Sequence, residues 1–386
     1  MFSLAPKIPL YKSFRRFGKP RLLPLNLTLN VTFRCNSRCA TCNIWKKKVD
    51  SSFITSHERN MQAKNILKTD QFEKVVRDEL TLSEWKKIFQ SIGPRKVFWL
   101  ILSGGEPFLR ADLAELCRLA GKYLRPKIIN IPTNGYLYQI IPARVEEILA
   151  AAPKSKVVIN FSLDGIGKAH DKIRNLEGSF ENLMKSYRAV RNIKNPRLTV
   201  GVHSVISKLN YDKVSEIYDF VQTELQPDSY ISEIAEQRTE LDNFNLDIFP
   251  KKEEYFAAVD YLLEKLGEEK SKGLSRITLS LRKNYYRLVK EILRKKIQFI
   301  PCYAGFASAQ ISAEGEVWPC CVRGDSMGNL RENNFDFPRV WAGKKAQNIR
   351  QSIKEKECWC PLASASYTNM LMHEPSLAKI VKDYFL

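Results

Sequence analysis

Apolar positions along this chain switch repeatedly between the two-residue period of a strand and the 3.6-residue period of a helix. Residues 25–33 (LNLTLNVTF) are β-prone. Residues 97–102 (VFWLIL) form a continuous apolar run, as expected of a strand buried on both faces. Further strands are predicted over 127–131, 157–163 and 199–206. Helices are predicted over 81–92, with Thr81 or Ser83 available as its cap, and over 111–123, 142–151, 180–192 and 212–225. Strands alternating with helices of this length imply successive βαβ units and a parallel sheet. About six units fit before residue 235, too few for a closed eight-fold barrel.

Around this α/β core the pattern loosens. The stretch 46–80 is polar without clean periodicity, and predicts a surface excursion or a substrate lid. Helical segments are expected over 251–267 and 277–296. From residue 299 the composition turns to Cys, Gly, Pro and Trp, which suggests a small metal-stapled domain.

Composition adds the compartment and a partner question. No run of eighteen apolar residues occurs, and the N-terminus has no signal-type apolar core, so a cytoplasmic protein is expected. Nine cysteines in that compartment argue against a disulfide framework. Three fall between 35 and 42, five between 302 and 360, and Cys117 stands alone in a helical pattern as a core residue. Clustered thiols point to metal. The net charge is +20, and the first 48 residues hold eleven Lys or Arg and no acid. A solvated basic surface, an anionic membrane surface, an anionic substrate and nucleic acid all suit such a segment, with nucleic acid ranked last.

Cys35-x3-Cys39-x2-Cys42 follows the first strand. Three thiolates satisfy three irons of a cubane and leave the fourth open, whereas a structural zinc would need a fourth ligand close by. The nearest histidine is His57, and Arg34 and Arg38 favour thiolate. This spacing after a first strand resembles the radical S-adenosylmethionine (SAM) superfamily. The chain departs from that family's pattern at Thr41, where an aromatic or apolar residue is usual, with Ile44 and Trp45 as substitutes. The resemblance implies a partial (β/α)6 TIM-type barrel. It also implies a SAM-binding 4Fe–4S cluster on Cys35, Cys39 and Cys42, and reductive cleavage of SAM to a 5′-deoxyadenosyl radical that abstracts hydrogen from a substrate.

The same resemblance gives roles to polar residues after later strands. In Ser103-Gly104-Gly105-Glu106-Pro107 two glycines allow close backbone approach, and Glu106 matches the family's acceptor for the SAM amino group. Asn134, Ser162 and Asp164 lie at strand ends, where barrel enzymes build their sites; Ser162 and Asp164 match ribose contacts. Val205 and Ile206 resemble adenine-packing positions and equally suit the core. Arg174 could meet the SAM carboxylate, against the alternative of a surface salt bridge.

Cys302-x12-Gly315-x4-Cys320, then Cys321 and Cys358-x-Cys360, resembles the SPASM/twitch extensions that carry auxiliary 4Fe–4S clusters, the shorter twitch form in particular. Cys302, Cys320, Cys358 and Cys360 are assigned to one auxiliary cluster. Cys321 is left as a replacement ligand, a hydrogen donor or a buried thiol. The usual terminal C-x2-C is shortened here around Trp359.

The expected organisation is a basic arm (1–24), a barrel (25–235) with the 46–80 insertion, a helical connector (236–298), and the auxiliary domain with a C-terminal helix (299–386). The expected activity is that of a radical SAM enzyme drawing electrons from a flavodoxin- or ferredoxin-type reductant. It would act on a small-molecule, lipid-linked or peptide substrate, with peripheral contact to anionic membrane. A non-catalytic iron–sulfur electron carrier and a zinc-dependent nucleic-acid-binding module are the rival classes.

Overall fold

A computed structural model describes residues 5–46, 79–269 and 274–385; the expected insertion lies outside them from 47 to 78. Among the described residues nine strands form one sheet in the order β6-β5-β4-β3-β2-β1-β7-β8-β9. Six of them, β1 (Asn26–Thr32), β2 (Trp99–Gly104), β3 (Ile128–Thr133), β4 (Lys156–Ser162), β5 (Leu198–Ile206) and β6 (Ser229–Ile234), are mutually parallel. Helices fill the crossovers, as parallel pairing requires. The partial barrel implied by the sequence is therefore the fold.

Each barrel strand has an apolar face packed on helices and a more polar face turned inward. Leu100 and Leu102, Ile129 and Ile131, Val157, Ile159 and Phe161, and Val200 and Val202 are buried; Asn130, Asn160, Ser162 and His203 alternate with them and are half-buried. The run 97–102, expected to be covered on both faces, departs from this. The strand begins at Trp99, its first residue, which is 40% exposed. Thr81 caps the helix Leu82–Ile92 through a capping box with Glu84. The helix expected over 212–225 is Val214–Phe220, continued as a wider turn to Leu225.

The Cys-rich segment does not stand apart. Its strand β7 (Ser308–Ile311) pairs in parallel with β1, and β8 (Glu316–Trp318) and β9 (Gly328–Asn329) follow antiparallel. Sheet hydrogen bonds thus run unbroken from the barrel into the auxiliary segment. The basic N-terminal segment contains a helix, Ile8–Phe17, that buries Tyr11 and Phe14 against Tyr303, Phe306 and Met372. Lys12 pairs with Glu374 at 2.6 Å, and Arg15 donates to the Cys302 carbonyl, so part of the basic charge is used inside the molecule. Cys117 is buried in the helix Leu113–Tyr123. Among the described residues no helix is long and apolar enough to cross a membrane.

Candidate functional site

The first cysteine loop leaves β1 under tight control. Buried Glu79 accepts from Thr32 Oγ1 (2.9 Å) and the Phe33 amide (2.7 Å), fixing the strand end. The amides of Arg38 and Ala40 donate to the carbonyls of Arg174 and Ile173. Cys35, Cys39 and Cys42 are partly buried, and an N–H donor is aimed at each sulfur. Those donors are the Ser37 amide (3.4 Å), Arg174 Nη1 (3.7 Å) and the Ile44 amide (3.4 Å), in that order. Burial raises all three thiol pKa values, that of Cys42 to about 12, and neighbouring cysteines push Cys35 and Cys42 higher still. Three thiols on one loop, each with an N–H donor at its sulfur, are a donor set that fits an iron–sulfur cluster.

The Gly104-Gly105 turn brings Glu106 beneath that loop. A Cβ on Gly104 would lie 2.1 Å from the Thr32 carbonyl oxygen, and one on Gly105 would lie 2.0 Å from that of Arg34. Only glycine lets the ends of β1 and β2 touch in this way. The Glu106 amide donates to the Arg34 carbonyl (2.8 Å). Its buried carboxylate accepts from Thr133 Oγ1 (2.9 Å) and from the amides of Asn134 (2.8 Å) and Phe108 (3.1 Å). Burial outweighs those bonds and raises its pKa to about 7. Asn134 Nδ2 donates to Asn36 Oδ1 (2.7 Å) and Ser37 Oγ (3.1 Å). Asn134 therefore ties the GGE turn to the cysteine loop.

Asp164 is also occupied. It accepts from the Val205 amide (2.8 Å) and pairs with Arg174 at 2.7 Å, and both side chains of the pair are largely buried. Arg174 thus joins Asp164 to Cys39 in a buried ion pair, not a surface salt bridge. Ser162 ends β4 on the inward face, in register with His203. Val205 shares that half-buried face, whereas Ile206 points into the core.

In the auxiliary segment Cys302, Cys320, Cys358 and Cys360 line one pocket, together with Arg323 and Trp359. The shortened Cys358-Trp359-Cys360 spacing is accommodated by Gln298. Its side chain accepts from the Cys302 amide (3.1 Å) and donates to the carbonyls of Ile353 (3.1 Å) and Cys358 (3.4 Å). Four half-buried cysteines lining one pocket are a donor set that fits a second, fully ligated cluster. Cys321 packs outside that lining against Leu362 and Ala365, and burial holds its thiol well above the ordinary range.

The sequence reading missed what lies between the two cysteine groups. Residues 239–243, placed in a helical connector, run as a strap bonded to both. The Thr239 and Glu240 amides donate to the Val322 and Cys321 carbonyls, and the Leu241 carbonyl accepts from the Asn43 amide. Asn243, fully buried, donates to the Thr41 carbonyl at 2.9 Å. A buried charged group accompanies the strap: Arg238 bonds Glu233 (2.9 Å) and Glu236 (3.3 Å), and His203 stands 3.6 Å from Glu233. Burial works against ionisation of Glu233, but Arg238 beside it holds its pKa below the usual carboxylate range. Burial raises that of Glu236 to about 7. The mixed run EIAEQRTELDN was the available signal, but nothing in it says that these charges are buried.

Two family models match the chain: the radical SAM superfamily over residues 29–221, and SPASM, an iron–sulfur cluster-binding domain, over residues 302–361. The first spans half of the chain, which belongs to the radical SAM superfamily. It is an enzyme of that class with a C-terminal SPASM domain, using SAM, a 4Fe–4S cluster and auxiliary iron–sulfur chemistry. Over 329 residues it is 27% identical to Fe-coproporphyrin III synthase of Methanosarcina barkeri, covering 81% of this chain and 72% of that protein. It is 22% identical over 338 residues to sporulation killing factor maturation protein SkfB of Bacillus subtilis, covering 88% of this chain and 69% of that one. Streptococcus suis SuiB, solved with S-adenosylmethionine bound, shares the fold at a TM-score of 0.58 and 17% identity, over 90% of this chain and 72% of that one.

Proposed function

We propose that Cys35, Cys39 and Cys42 hold the 4Fe–4S cluster with one iron left for SAM, and that Glu106, on the Gly104-Gly105 turn, accepts the SAM amino group. Asn134, Ser162 and Asp164 would then border the nucleoside. When bound, these cofactors supply reductive cleavage of the sulfonium and, through it, hydrogen-atom abstraction from substrate. The observation that carries this reading is the linkage through Asn134: its amide donates to Glu106 while its side chain donates to Asn36 and Ser37 of the cysteine loop. A carboxylate for an ammonium group and three sulfurs for a cluster are thereby held in one rigid unit, as positioning of a chelated cofactor requires.

The chain's further contribution is a shaped mouth. Ser162, His203 and Glu233 lie on neighbouring strands at the C-terminal end of the barrel, the side on which barrel enzymes bind substrate. Cys321 adjoins the strap but is buried against Leu362 and Ala365, so of its three expected roles we assign that of a buried thiol, not that of a hydrogen donor or cluster ligand. Cys302, Cys320, Cys358 and Cys360 would hold one auxiliary 4Fe–4S cluster, and a flavodoxin- or ferredoxin-type protein would deliver electrons. The substrate is an organic molecule entering that mouth. A peptide has precedent in SuiB, solved with precursor peptide SuiA, and a small molecule in the coproporphyrin enzyme.

Anaerobic reconstitution with iron and sulfide, reduction by dithionite and addition of SAM should yield 5′-deoxyadenosine. No such product from a chain carrying about eight irons, the content of two cubanes, overturns the proposal. Peripheral contact with anionic lipid would use the helix Ile8–Phe17, where Leu10 is 45% and Phe17 68% exposed beside Arg16. Co-sedimentation with liposomes that ignores their anionic content removes that part.

A further inference from the structure

The two cysteine groups share a device. At the first, Arg174 Nη1 donates to Cys39 Sγ while Nη2 pairs with Asp164. At the second, Arg323 Nη1 donates to Cys358 Sγ (3.8 Å) and to Ser352 Oγ (2.8 Å), while Nη2 pairs with Asp325. Arg323 lines the same pocket as Cys302, Cys320, Cys358 and Cys360. Its backbone is pinned as well, since Thr239 Oγ1 donates to the Arg323 carbonyl at 2.8 Å. Next to it, a Cβ on Gly324 would lie 2.4 Å from Thr239 Cγ2. A long, permanently charged side chain restrained at this many points keeps one geometry toward the sulfur.

Holding iron through sulfur does not need a guanidinium. What an N–H donor and a fixed positive charge at a ligand sulfur do is withdraw electron density and favour the cluster state that carries one more electron. We propose that Arg323 is a positioning residue that sets the electron affinity of the auxiliary cluster, with Asp325 as the counter-charge that moderates it. The step is a one-electron uptake by the cluster, from oxidised to reduced, with no bond made or broken at Arg323. The proposal rests on the assignment of Cys302, Cys320, Cys358 and Cys360 to one cluster.

The test uses the full-length chain with Cys35→Ala, Cys39→Ala and Cys42→Ala, so that only the auxiliary site loads. It is reconstituted anaerobically, poised with dithionite and mediators, and read by the EPR signal of the reduced cluster. At the poise that half-reduces its parent, Arg323→Gln should show a reduced-to-oxidised ratio about tenfold lower, a displacement of about 59 mV for a one-electron couple. Arg323→Lys, which keeps the charge, should recover most of the difference. Asp325→Asn should move the midpoint the other way, toward easier reduction. An Arg323→Gln chain with full iron that titrates with its parent overturns the proposal, as does Asp325→Asn shifting toward harder reduction. If Arg323→Gln fails to load, the sign of the Asp325→Asn shift decides. A parent that holds no iron and gives no signal sinks the ligand assignment instead, a result distinct from an unshifted midpoint.

Discussion

Gly105→Ala adds one methyl group at the place where the site is closed. The new carbon would lie 2.0 Å from the Arg34 carbonyl oxygen, 2.6 Å from its carbon and 2.8 Å from the Phe33 oxygen. All three are backbone atoms, so no rotamer change relieves them, and the strand ends must part by about 1 Å or more. Parting them stretches the hydrogen bonds from the Gly105 amide to Thr32 and from the Glu106 amide to Arg34, both 2.8 Å. Two such bonds are worth about 1 kcal/mol each, and overpacking costs about 1–3 kcal/mol. A loss of roughly 3–5 kcal/mol follows, the upper range for a single substitution, concentrated where Glu106 meets the cysteine loop. The variant should unfold at markedly lower denaturant, hold less than half of the parent's first-site iron and bind SAM weakly by equilibrium dialysis. Gly267→Ala is the control. It lies at the exposed end of the helix Lys252–Glu268 with nothing within 4 Å of its added carbon, and should be neutral or stabilising by up to about 1 kcal/mol. Iron content, SAM affinity and unfolding midpoint unchanged in Gly105→Ala would refute the reasoning.

Three further outcomes follow from the same geometry. Glu106 has its pKa raised to about 7 by burial, and an ammonium group needs the ionised carboxylate, so SAM affinity should fall as pH drops through 7. Glu106→Gln should bind at least about tenfold more weakly at pH 8 and lose that pH dependence; a parent affinity flat from pH 6 to pH 8 contradicts this. Asp164→Ala strands buried Arg174 without its counter-charge, at a cost of about 3–5 kcal/mol in a urea midpoint, and a midpoint equal to the parent's would exclude the coupling. Cys358→Ser should lose about half of the bound iron and Cys321→Ser none, since only Cys358 lines the auxiliary pocket; the reverse pattern in an iron assay would reassign the fourth ligand.

The alternation of strand and helix patterns was legible because a crossover strand needs two-residue periodicity and its covering helix a 3.6-residue one, whatever the rest of the fold does. The thiol clusters were legible because their spacing is local. The Gly104-Gly105 turn was legible too, although only the positions of the Thr32 and Arg34 carbonyls say why side chains are forbidden there.

Other features depend on contacts far apart in the chain. Nothing in 308–311 announces a partner at 26–29, because the sheet edge is chosen by what else is free to pair. The basic helix Ile8–Phe17 reads as a charged arm until Tyr11 and Phe14 find an apolar surface some 290 residues further on. The strap at 239–243 has no periodicity of its own and takes its shape from carbonyls and amides of the two cysteine loops. Arg323 looks like an ordinary surface charge in sequence and Arg174 like a SAM-carboxylate partner or a surface salt bridge; both reach cysteine sulfurs only when folded. The sequence by itself determined the elements, the class of chemistry and the cysteines that fit it, since each is written in short-range spacing. Tertiary structure alone decided which charges are buried, what ties the two cysteine groups together and which thiol faces away, because burial and hydrogen bonding are set by neighbours that spacing cannot name.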